Sequence, residues 1–210
     1  MEGSLLINCL AVLSLLIVLL LLKRIVGIFP SVVGCLIRWK ESVNLEASVK
    51  LSRDRDVTAL ALVIPFCLTA CSFRLYDPGF MEGLAEEIRL GITAAVFVTY
   101  VLFRLLTARL FRPQKMSKAT YGTAHKASCT FFILLTLLLL ATGGLMSIIG
   151  VAQDVTRCAM LWISAGIYAM FLLRKTQIFA SSCSVFTAFL YLCALEIIPT
   201  GTLVVSAMIF

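Results

Sequence analysis

Tyr191-Leu-Cys-Ala-Leu-Glu196-Ile-Ile-Pro199 places one carboxylate and one proline inside an otherwise apolar run, Phe186 to Phe210. About 20 apolar residues suffice for a helix to cross a bilayer, so this run is long enough. Glu196 then lies near its middle, where an ionised side chain costs about 2.5–3.5 kcal/mol on insertion scales. Pro199 has no N–H, and its ring clashes with the carbonyl of Leu195, so the helix bends beside the acid. The other apolar runs are read as what surrounds that arrangement.

Composition agrees with a membrane setting. The chain has 210 residues, 61% hydrophobic and 14% charged, with a mean hydropathy of +1.04. That is too little polar surface for a soluble globule. The net charge of +7 and the pI of about 9.1 do not imply nucleic acid, because cytoplasmic loops collect Lys and Arg for topological reasons. With no linker, low-complexity tract or internal repeat, the expectation is a single integral membrane domain over residues 1–210. Its expected fold class is all-α, polytopic, with six transmembrane helices and one amphipathic interfacial helix.

The first span is Leu5 to Leu22, uncharged and closed by Lys23-Arg24. Its flanks are wrong for a signal peptide, since Met1-Glu2-Gly3-Ser4 is acidic and the basic pair follows the run. Pro30-Ser31 opens an amphipathic helix expected over residues 31–43. Its apolar face carries Val32, Leu36, Trp39 and Val43, with Arg38, Glu41 and Ser42 turned away. It lies in the interface or packs on the bundle. Lys50 to Asp56 reads as a solvated mixed-charge connector.

Four further spans follow at 57–73, 90–111, 127–151 and 158–173, before the last at 186–210. Pro65 sits inside the second. Asp77 and Pro78 read as N-cap and first helical residue of what precedes the third. Arg104 and Arg109 fall in the last turns of the third, where their stems can snorkel to the interface. Arg112 to Lys126 reads as a basic loop that includes Lys115, Lys118 and the only histidine, His125. The fifth span is bounded by Arg157 and Arg174-Lys175, and residues 176–185 either begin the last helix or form a connector.

Lys and Arg alternate in number along the connectors. Counted after each of the first five spans they number 7, 2, 6, 1 and 2. With the N-terminus outside, 15 of the 18 fall on the cytoplasmic side, as the positive-inside rule requires. Both termini are then expected outside a bacterial inner membrane.

Candidate chemistry centres on Glu196. Intramembrane acids line ion or proton paths, hold a cationic ligand, or pair with a base on another helix. Alternatively the acid is simply neutral, hydrogen-bonded to the Leu192 carbonyl, Tyr191 or Thr200. Burial favours the neutral form of a carboxyl, and a neutral acid is the expectation. Arg104 is the cation best placed for the ion-pair alternative. The eight cysteines mostly fall inside spans and read as soft packing residues rather than a disulfide framework. Cys67 and Cys71 share a helical face, but no further ligand supports a metal site. His125, alone in its loop, reads as solvated. No HExxH, Walker, GxSxG or dinucleotide pattern occurs, and no cofactor is expected. Small residues at four-residue spacing (Gly91/Ala95, Ala165/Ala169, Ala180/Ser184/Ala188) read as packing faces within the bundle.

The run Tyr191 to Pro199 resembles the closing signature, Tyr-Leu-Cys-x-Leu-Glu-Ile-x-Pro, of an uncharacterised bacterial inner-membrane family of unknown function. The resemblance implies that Tyr191, Cys193, Glu196 and Pro199 are the signature positions; it implies no activity. Ligand, ion or helix-pairing roles are therefore assigned to Glu196, Tyr191, Cys193, Pro199 and Arg104. The expected function is non-enzymatic, as a subunit or assembly partner of a membrane complex. The alternatives are a small transporter or channel using Glu196 as its proton or ion site, and then a lipid-modifying intramembrane enzyme. The expected partners are the lipid bilayer and other membrane proteins, not nucleic acid.

Overall fold

The structure, a computed structural model, describes residues 5–110, 118–181 and 185–209. Met1–Ser4, Arg112, Lys115, Cys183 and Ser184, all used in the sequence reading, lie outside the described residues. The elements are α1 (Leu5–Ile37), α2 (Trp39–Ala47), α3 (Val49–Ala61), α4 (Val63–Ser72), α5 (Glu86–Leu110), α6 (Lys118–Ile149), α7 (Gln153–Ala180), α8 (Val185–Leu192) and α9 (Ile198–Ile209). A 3-10 turn at Gly79–Met81 precedes α5, and a π turn at Cys193–Ile197 joins α8 to α9. Among the described residues six stretches are long and apolar enough to cross a membrane: Leu5–Ile37, Val49–Ser72, Glu86–Leu110, Thr120–Ile149, Gln153–Ala180 and Phe186–Ala207. With α2 as a short additional helix, the chain is an all-α, multi-spanning membrane protein.

Several helices outrun the apolar segments that announce them. Apolar runs mark what must contact lipid, whereas a hydrogen-bonded helix continues through Lys, Arg and Glu, all good helix formers. Residues 50–56, read as a solvated connector, form the first turns of α3, with Arg55 only 2% exposed. Lys118 to Lys126, read as loop, opens α6. Residues 176–180 complete α7.

The helix expected over 31–43 is divided. Ser31 to Ile37 finish α1, which continues through Pro30, and Arg38 is extended (φ −135, ψ 123) before α2 begins. The break rotates the next helix, so Ser42 and Leu45 are buried and Val43 is exposed. Gly34 permits the close return, since a Cβ there would lie 3.3 Å from Cγ of Glu41. The orphan carbonyls at the end of α1 are met from α7. Arg174 donates through Nε and Nη2 to the Leu36 oxygen at 2.9 and 2.6 Å, and through Nη2 to that of Ile37 at 3.0 Å.

Pro65 breaks its helix as it cannot donate to Ala61, and the chain steps at Leu62 (φ −74, ψ −4) between α3 and α4. Asp77 does not cap a helix. Its carboxylate takes Arg89 at 2.7 Å and lies 4.0 Å from Arg157, while Pro78 is extended before the 3-10 turn.

Two apolar clusters hold the bundle together. Ile28 and Val32 of α1 pack with Ala59, Leu62, Ile133 and Leu134. Ala124 and Phe131 of α6 pack with Phe171, Ile178 and Phe179 of α7 and with Ala188 and Leu195 of the last span. The second cluster surrounds Glu196.

Candidate functional site

Glu196 lies in the π turn. Pro199 removes the N–H that would bond Leu195, and the chain widens so that Ile198 N–H bonds the Cys193 oxygen, five residues back. The Glu196 side chain is 1% exposed. Its Oε1 receives Nη2 of Arg104 from α5 at 2.7 Å and Nζ of Lys175 from α7. Tyr168 of α7 donates to the Glu196 backbone oxygen at 3.0 Å, and the Tyr100 and Thr200 hydroxyls bond at 3.1 Å. Each neighbouring helix thus supplies one cation and one tyrosine to the last span.

Two cations on one oxygen make an ion-paired arrangement rather than that of an isolated acid. Among the described residues, the buried Oε2 and the buried Nε of Arg104 have no hydrogen-bond partner. The neutral acid bonded to Leu192, Tyr191 or Thr200 that the sequence suggested is not what the structure places here. The desolvation of the cations is offset from beneath. The Arg104 guanidinium sits 5.2 Å from the Phe171 ring centre, and Lys175 Nζ lies 5.5 and 5.6 Å from those of Phe171 and Phe179.

A void of about 10 Å³ adjoins the carboxylate, lined by Arg104, Tyr121, His125, Lys175, Leu195 and Glu196 among others. That is at the lower limit of the space one water requires. Tyr121 of α6 donates to the Ala108 oxygen of α5 beside it. His125 is on this wall, not in a solvated loop, because α6 begins seven residues earlier.

Of the residues singled out from sequence, the structure brings Glu196 and Arg104 together. Tyr191 packs on the surrounding apolar cluster, Cys193 is a half-buried free thiol in the π turn, and Pro199 is buried behind it. None of those three bonds the carboxylate. Lys175, Tyr168, Tyr121 and His125 were missed. Phe171, Lys175, Ile178 and Phe179 fall on one helical face and are all buried, a spacing that points Lys175 inward.

A second ionic cluster joins α2, α3 and α6. Arg55 Nη1 meets Glu46 Oε2 at 2.9 Å, Arg55 Nη2 meets Asp56 at 2.7 Å, and Lys126 meets Glu46 Oε1 at 2.5 Å. Burial pushes the Glu46 carboxyl up, but hydrogen bonds from Lys126 and Arg55 outweigh it and hold the group below its ordinary value. The described cysteines are free thiols. Gly91, Ala95, Ala165 and Ala169, expected to pack inside the bundle, are exposed on its outside.

Fold and site together define a multi-spanning helical membrane protein whose last span is tied to two neighbours through the buried Glu196 side chain. Compared with known proteins, the chain matches no family model, no curated protein and no solved structure.

Proposed function

We propose that the protein is a non-enzymatic membrane component, a subunit or assembly partner of a larger membrane complex, with the Glu196 cluster as the clasp that fixes its bundle. The observation that carries this reading is the sharing of one buried carboxylate by cations from α5 and α7. A void for about one water leaves no room for a lipid or solute to meet that carboxylate, which argues against an enzyme or a solute carrier. The exposed small-residue faces at Gly91/Ala95 and Ala165/Ala169 favour a partner helix, since such faces let backbones approach closely in lipid.

The setting we propose is a bacterial inner membrane, with both termini outside and one integral domain over 1–210. The alternating Lys/Arg counts and the likeness of Tyr191 to Pro199 to an uncharacterised bacterial family support it. A second reading rests on Oε2, without a partner among the described residues, beside a one-water void: proton transfer through Glu196, for which that space suffices.

The test is purification from native membranes in mild detergent. A stoichiometric membrane partner should be retained by wild type and lost on Gly91→Leu or Ala165→Leu, with the melting temperature unchanged because both sites face outward. A monomer that carries a Glu196-dependent proton flux in liposomes would replace the complex reading with the second one.

A further inference from the structure

A larger opening lies between α1 and α3, away from the Glu196 cluster. It is a groove of about 390 Å³ lined by Lys23, Arg24 and Gly27 of α1 and by Lys50, Leu51 and Asp54 of α3. Three cations face one carboxylate there. Among the described residues none of those cations forms an ion pair, whereas Arg55, Arg89, Arg104, Lys126 and Lys175 are all paired. The charge in the groove is thus free to meet an anion. Gly27 has open space where a Cβ would stand, so the backbone of α1 does not close it.

The surroundings say which anion. Leu16, Leu20, Lys23 and Gly27 recur at helical spacing, and Leu16 and Leu20 are 51% and 74% exposed. On α3, Lys50, Asp54 and Val57 share a face, with Val57 38% exposed. On both helices the face that carries charge into the groove continues as bare apolar surface. Cationic grooves flanked by acyl-chain surface between membrane helices suit anionic headgroups. We propose that this groove binds the phosphodiester headgroup of an anionic phospholipid, with Lys23, Arg24 and Lys50 on the phosphate. Asp54 accepts from headgroup hydroxyls and disfavours a second negative charge. The inference is independent of the complex reading above.

The test uses the full chain in mild detergent, titrated with phosphatidylglycerol, phosphatidylcholine or inorganic phosphate, and reads bound lipid by native mass spectrometry. Phosphatidylglycerol should bind in preference to phosphatidylcholine, and phosphate should not displace it. Each cation neutralised (Lys23→Gln, Arg24→Gln, Lys50→Gln) should lower the affinity about fivefold. Gly27→Leu, which fills the groove and keeps every charge, should abolish the preference and serves where the charge variants fold poorly. Equal loss on neutralising exposed Arg38, Lys40 and Arg53 would overturn the site in favour of general attraction. Displacement by phosphate would assign the groove to the free anion instead, and unchanged binding in Gly27→Leu would exclude the groove.

Discussion

Glu196→Gln is the perturbation with the largest expected effect. Glutamine keeps the shape and removes the anion that pairs with both Arg104 and Lys175, whose side chains are 17% and 3% exposed. Breaking a buried pair by deleting one partner costs about 3–5 kcal/mol. The two cations share one oxygen, so their nitrogens lie within about 5 Å of each other, and at an effective dielectric of about 20 their repulsion alone is at least about 3 kcal/mol. For a chain of this size each kcal/mol moves the melting temperature by about 2–4 °C, which gives a fall on the order of 10 °C. Lys175→Met should act very differently. It leaves Glu196 paired with Arg104, one charge against one, and should cost far less than glutamine does. The assay is thermal unfolding in one mild detergent near neutral pH, with wild type, both single variants and the double variant. A Glu196→Gln protein as stable as wild type would refute the ion-pair account and restore the neutral acid.

Three further outcomes follow from the same contacts. Glu46 is held below its ordinary carboxyl value of 4.5 by Lys126 and Arg55, so its contribution is present above that value and lost as pH falls through the lowered one. Melting curves taken from about pH 7 down to pH 3 should fall less steeply for Glu46→Gln than for wild type. Arg174→Met should speed amide exchange in the last turn of α1, because the Leu36 and Ile37 carbonyls lose a charged donor worth about 1.5–3 kcal/mol; Arg174→Lys should restore little, lacking the planar fork. Gly143→Ala should destabilise by about 1–3 kcal/mol, since its Cβ would lie 2.8 Å from Met160 Cε and 2.9 Å from Phe73 Cε2. Gly144→Ala meets nothing within 4 Å and should be neutral or gain up to about 1 kcal/mol in helix propensity.

Hydropathy alone locates the six spans, because lipid contact demands long uninterrupted apolar runs and this chain supplies them. Glu196 stands out for the opposite reason, as a charge where charge is costly, and Arg104 follows as a cation inside the third run. Lys175 is less legible. It sits next to Arg174 at the end of an apolar run, where a basic pair ordinarily marks the interface, and only the continuation of α7 to Ala180 turns it inward. Arg55 is hidden in the same way. Its stretch looks solvated by composition, yet Ser52, Arg55, Ala59 and Leu62 recur at helical spacing and are all buried. The division of the helix at Arg38 depends on a single extended residue and on a clamp from α7, and no local pattern encodes a contact that distant.

The most direct test of the clasp is the ionisation state of Glu196. An infrared difference spectrum of wild type minus Glu196→Gln near neutral pH isolates this one side chain. Carboxylate stretching bands, with no carbonyl band of a protonated acid, are the result expected of an oxygen shared by Arg104 and Lys175. A protonated carboxyl band would contradict the shared ion pair and remove the clasp as the organising contact of the bundle.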